Sequence, residues 1–221
     1  MIDLVILVVS IALVDSLNPA TVMPALYLAT APRPVRAILG FAAGFFAVNV
    51  VGGIVALGLG HRLAGVVPRP GADLQHWVEL VTGVAAILAS GILWRSRDRV
   101  NAGFARMQLG AHRMAPLAGA GLALIELPTS FPYFAAIAAL AASHQPAAVQ
   151  ISLLVLFQVI FLAPVVAIAA VRALAGPRAV EALARVRAFV LRYAGAAVAA
   201  LVLGLGIALV VLGGVGVSAS G

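Results

Sequence analysis

Two acidic residues stand alone in long apolar stretches. Asp15 lies in Val14-Asp15-Ser16-Leu17-Asn18-Pro19-Ala20-Thr21-Val22-Met23-Pro24, and Glu126 in Ile125-Glu126-Leu127-Pro128-Thr129-Ser130-Phe131-Pro132-Tyr133. Each is the one charged residue of its run, residues 4–30 and 114–171. An ionisable group at bilayer depth costs at least ~2.5–3.5 kcal/mol on insertion scales, so it points to proton carriage or to pairing with a cationic or polar cargo. Each acid is followed by two prolines: Pro19 and Pro24, then Pro128 and Pro132. Pro removes a backbone donor and clashes with the preceding turn. Asn18-Pro19 also reads as an N-cap followed by the first residue of a new helix. Both spans are therefore expected to be broken near mid-membrane, where non-helical backbone survives only inside protein or beside a wet cavity. Asn18, Thr21, Thr129 and Ser130 are placed to bond the freed groups, and the breaks are expected to meet in one shared site. The helix half-dipoles there would favour an anionic headgroup.

The elements that hold these motifs follow from composition. Of 221 residues, 64% are hydrophobic and 10% charged, against ~45–50% and ~25% in an ordinary soluble domain. Too few polar residues remain to cover a soluble globule, which excludes a cytosolic enzyme, a secreted domain and a disordered tail. The fold class expected is an all-α integral membrane protein. Barrel strands would alternate, whereas these runs are apolar on every side. The first run carries no basic n-region and is too long for an ordinary signal peptide. Six spans are expected, at 4–30, 36–60, 76–95, 115–142, 147–171 and 190–215.

All 14 basic residues are Arg. Twelve fall in the loops after spans 1, 3 and 5: Arg33 and Arg36; Arg95, Arg97, Arg99, Arg106 and Arg113; Arg172, Arg178, Arg185, Arg187 and Arg192. Arg62 and Arg69 are left for the other side. The positive-inside rule then makes the Arg-rich side cytoplasmic and places both termini outside. Span 1 enters from outside and span 4 from inside, so residues 1–113, which include the basic central loop, and residues 114–221 form two inverted three-helix repeats. Stretch 177–192 reads as a basic loop that fixes topology, with a short interfacial helix as the alternative.

Asn49 in span 2, and Gln158 with Pro164 in span 5, occupy equivalent depths. Their amides either bond across helices or line the cavity. Gly40 and Gly44 form a small-xxx-small pattern suited to close helix packing, and would allow a homodimer. Trp77 and Trp94 read as interfacial anchors. His61, His76, His112 and His144 show no metal-ligand spacing, so no metal or other cofactor is expected. The absence of cysteine excludes thiolate chemistry. No catalytic pairing, metalloprotease motif or phosphate loop is present, and no enzyme activity is expected.

At the two motifs the chain resembles a known family. Asp15-Ser16-Leu17-Asn18-Pro19 with Ala25-Leu26-Tyr27-Leu28, and Glu126 through Phe134, are similar to the two signatures of the peptidoglycolipid-addressing (GAP) proteins, also called sulfolipid-addressing or Sap proteins, of the lysine-exporter superfamily. The resemblance implies six spans, an inverted repeat, and movement of envelope glycolipids across the inner membrane. The thiol-carrying branch of that superfamily has a Cys beside each proline motif; Ala20 and Ser130 stand there in this chain.

The function expected is proton-linked export or flipping of a lipid or lipid-linked molecule at the inner membrane. Asp15, Asn18, Pro19, Thr21, Pro24, Asn49, Glu126, Pro128, Thr129, Ser130, Pro132 and Gln158 would form the substrate or proton site. Two alternatives stand beside it. One is a small-solute exporter for a cationic amino acid or metal ion. The other is a non-transporting scaffold that recruits a larger lipid-export partner. Short Arg loops between apolar runs speak for membrane and lipid contact, and against a nucleic-acid partner.

Overall fold

A computed structural model describes residues 1–63, 72–95, 114–127 and 130–220. Pro128 and Thr129, Arg69, and the central Arg97, Arg99, Arg106 and Arg113 lie outside the described residues. Among those described, all regular structure is helical: α1 (Ile2–Asp15), α2 (Pro19–Leu28), α3 (Pro34–Leu63), α4 (Ala72–Arg95), α5 (Ala115–Glu126), α6 (Phe131–Ala142), α7 (Ala147–Phe161), α8 (Ala163–Ala175), a 3-10 turn at Gly176–Arg178, and α9 (Ala179–Ser220).

By length and composition, three stretches among the described residues are apolar enough to cross a membrane: Pro34–Leu59, Ala163–Tyr193 and Val198–Ser218. Two bent pairs raise the number to five. α1 and α2 meet at 57°, and α5 and α6 at 75°. The surface carries many large apolar side chains, including Leu17, Leu88, Ile92, Ile125 and Phe131. Such a surface suits lipid and would be a liability in water.

Two elements differ from the sequence expectation. Span 5 is interrupted at Leu162, between α7 and α8, because Pro164 in the first turn of α8 has no N–H to continue the ladder. Stretch 177–192 is neither loop nor separate interfacial helix. After one 3-10 turn it enters α9, a single 42-residue helix that runs on through the last apolar run. Ala, Glu, Leu and Arg are strong helix formers, and they decide the local conformation where charge alone suggested a loop.

The described helices fall into two compact units. The first holds α1–α3, α5–α8 and the start of α9; the second holds α4 and the rest of α9. Each unit draws on both halves of the sequence.

In the first unit, α3 packs backbone-to-backbone on α5. A Cβ at Gly44 would strike the Pro116 carbonyl, and one at Gly119 would strike the Phe41 carbonyl. The Gly40/Gly44 face is thus used inside the chain, where small residues let two helices approach closely. α7 packs on α1, and α8 on α3 and α2. Arg172 of α8 donates from Nε to the Ala29 carbonyl at the end of α2 (3.0 Å). An aromatic row runs through the core: Phe41–Phe45, Phe45–Phe161, Phe161–Phe157 and Phe157–Tyr133, with ring centroids 5.3–6.5 Å apart. In the second unit α4 meets the later part of α9 through Gly83, Gly206 and Gly213, each with no room for a side chain. His76 Nδ1 there lies 3.5 Å from Glu79.

Candidate functional site

The first break is built by three short polar side chains. Asp15 is the last residue of α1, and Asn18 is the N-cap of α2, with Pro19 in its first turn. Asn18 Oδ1 accepts from the Ala20 N–H (3.0 Å), satisfying a donor that the broken ladder leaves open. Ser16 Oγ donates to the Leu13 carbonyl (2.7 Å), and Thr21 Oγ1 to the Asn18 carbonyl (3.0 Å). Backbone groups freed at the break are thereby met by side chains of the same segment.

The second break repeats the plan with one difference. Glu126 is the last residue of α5, Ser130 is the N-cap of α6, and Pro132 lies in the first turn of α6. The Ser130 side chain makes no capping bond, contrary to the expectation that it serves the freed backbone. Ser130 lines a cavity with both acids instead.

That cavity brings the two motifs together. Asp15 of α1, Glu126 of α5 and Ser130 of α6 share it with Asn49 of α3 and Gln158 of α7. Its floor is aromatic: Phe45, Tyr133, Phe157 and Phe161. The free volume is about 10 Å³, room for roughly one water molecule. Asn18 stands beside it and hydrogen-bonds the Glu126 side chain. Since Oδ1 of Asn18 is committed to capping, its amide group is the donor to Glu126. One residue therefore caps α2 and ties it to the end of α5. Pro19, Thr21 and Pro24 shape α2 but do not line the cavity.

The chemistry of the cavity is strongly biased toward acceptors. Asn49 Nδ2 donates to the Phe45 carbonyl of its own helix (3.1 Å). Tyr133 Oη donates its single proton to the Asn49 carbonyl (2.6 Å) and is also hydrogen-bonded by Gln158. With that proton spent, the Gln158 amide must be the donor to Tyr133. Its carbonyl Oε1 is left buried and without a partner among the described residues. Two carboxyl groups and an unpartnered amide oxygen thus meet at one small cavity, and no Arg or His lines it. An unpartnered buried acceptor is costly; a proton-bearing guest would satisfy it. Among the described residues no cluster of three or more His, Asp or Glu could hold a metal.

Tyr133 and the three phenylalanines did not emerge from sequence as part of the site. Tyr133 was readable as the last residue of the second motif. Phe157 and Phe161 flank Gln158 at helical spacing and resemble ordinary core packing, which is also what they do. The family model for Sap, the sulfolipid-1-addressing protein, matches residues 8–215. No curated protein and no solved structure is matched.

Proposed function

The chain belongs to the Sap, sulfolipid-1-addressing protein, family, and from that premise we propose that it is a transporter that exports or flips an envelope lipid across the inner membrane, driven by protons. Six spans arranged as two inverted repeats, both termini outside, and placement in the lysine-exporter superfamily are parts of this reading. The equivalence of the breaks supports the repeat: each half begins with a half-helix ending in an acid, followed by a polar N-cap and a proline-led second half-helix. No catalytic step is assigned.

The observation that carries the proposal is the meeting of Asp15 and Glu126 at one cavity, among whose lining residues there is no Arg or His. A cavity for about one water is far too small for a headgroup, so its cargo is the coupling proton. An anionic headgroup, expected at the breaks, does not suit this cavity on charge either, because two carboxyl groups would repel it. Glu126 holds Asn18 through a bond that is stronger when the carboxyl is ionised. Protonation weakens it and frees α2 from α5, so proton binding biases the rocking of the two broken helices.

The same acceptor-rich cavity favours a second reading, export of a small dehydrated cation. Both readings need the acids. Asp15→Asn and Glu126→Gln keep shape and remove the ionisable group, and each is expected to abolish lipid export while the protein stays folded and inserted. Normal export by both variants would overturn the coupling role and leave a scaffold for a larger export partner. Loss of cation efflux with lipid export intact would favour the second reading.

A further inference from the structure

A second and much larger cavity opens in the first unit, away from both acids. It measures about 650 Å³ and lies between the turn after α2 (Ala31, Pro32, Arg33), the first turns of α3 (Arg36, Ala37, Gly40) and the start of α5 (Ala115, Pro116). This is within the ~300–1,000 Å³ range of ligand-sized pockets. Two guanidinium groups stand on its rim, and no acidic residue lines it. Neither Arg33 nor Arg36 has a carboxylate partner among the described residues. Arg172, by contrast, is committed to the Ala29 carbonyl. The first turn of α5 borders the same space, and its N-cap Met114 supplies no side-chain bond. The rest of the wall is Ala, Pro and Gly, which is apolar and uncharged.

We propose that this cavity is the headgroup site for an anionic lipid, with a sulfate or phosphate ester bound by Arg33 and Arg36. Guanidinium groups hold tetrahedral oxyanions through paired, charge-assisted bonds. The small apolar wall accommodates the first carbons of the attached chain or sugar. The two cavities divide the labour by size and sign. One holds about a single water between two acids; the other holds a headgroup beside two cations. The assignment does not depend on proton coupling. It would stand if the acids proved dispensable.

Both arginines also help to set topology, so their simple removal is an ambiguous test. The informative variant is Arg33→Lys with Arg36→Lys, which keeps both charges and loses the planar fork. Arg33→Gln with Arg36→Gln then removes the charge as well. The purified protein in nanodiscs of neutral phospholipid is titrated with three probes and read by native mass spectrometry: a sulfated glycolipid, the same glycolipid without the sulfate, and inorganic sulfate. The wild type is expected to bind the sulfated lipid at least ~10-fold more tightly than the unsulfated one, as suits charged hydrogen bonds. The Lys pair is expected to lose part of that preference and the Gln pair all of it. Glu126→Gln, which alters the other cavity, is expected to keep the preference in full. Equal binding of sulfated and unsulfated lipid by the wild type would overturn the site. So would an undiminished preference in the Gln pair, and inorganic sulfate binding as tightly as the lipid would assign the cavity to a free oxyanion and overturn the lipid.

Discussion

Removing the Tyr133 hydroxyl tests the polar floor of the acid cavity. The side chain is about 1% exposed, donates to the Asn49 carbonyl, and is hydrogen-bonded by the Gln158 amide. In Tyr133→Phe the Asn49 carbonyl keeps its place in α3, and little is lost there. Gln158 fares worse. Its Oε1 already has no partner among the described residues, so the whole amide becomes unpartnered there at a position 2% exposed. A buried donor stranded in this way costs about 1–3 kcal/mol, a large part of a typical stability of ~5–15 kcal/mol. Gln158→Leu alone leaves the Tyr133 oxygen without its donor and is expected to cost somewhat less. Deleting both partners at once, in Tyr133→Phe/Gln158→Leu, replaces a polar pair with apolar groups of similar shape and is expected to restore most of the loss. Reversible unfolding in mixed detergent micelles, followed by circular dichroism, measures all three. A double variant as damaged as the sum of the singles would refute the coupled pair, and with it the orientation assigned to the Gln158 carbonyl.

Further outcomes follow from the helix packing, the first break and the Arg distribution. Gly44→Ala and Gly119→Ala, which force α3 away from α5, are each expected to destabilise the protein by about 1–3 kcal/mol in the same unfolding assay. Gly58→Ala, with open space around it, is expected to change stability by less than ~1 kcal/mol. Asn18→Ala removes the cap of α2 and the tie to Glu126, and is expected to cost about 0.5–2 kcal/mol from the cap alone. Asn18→Ser restores a cap but not the reach to Glu126, so recovered stability without recovered export would separate the two roles. A reporter joined after Gly221 is expected to read as external and one inserted at Asn101 as cytoplasmic; an internal C-terminus would reverse every statement of sidedness.

The geometry of the two breaks was legible because proline and buried charge leave few options in an apolar chain. Asn18-Pro19 is read directly as cap and first helical residue, and Asp15 and Glu126 mark the ends of the half-helices that precede the breaks. The convergence of the two motifs followed from their similarity. Side-chain partnership was less legible. Ser130 occupies a cap position but lines the cavity, a choice set by tertiary packing. Tyr133 and the aromatic floor come from three helices, α3, α6 and α7, and no spacing rule joins them. The Gly40/Gly44 pattern announces close packing but not the partner, which is Gly119 and Pro116 of the same chain. The continuous α9 is not legible from charge alone; the helix propensity of its Ala, Glu, Leu and Arg residues decides it.

The claim that Asp15 and Glu126 couple lipid movement to protons is tested most directly in proteoliposomes with an imposed pH gradient. A fluorescent anionic glycolipid placed in the inner leaflet reports its own transfer to the outer leaflet. For the wild type the transfer rate is expected to rise with the gradient and to collapse when an ionophore dissipates it, while Glu126→Gln shows no gradient-dependent rate. A wild-type rate that ignores the gradient, or a Glu126→Gln rate that still follows it, would contradict the account.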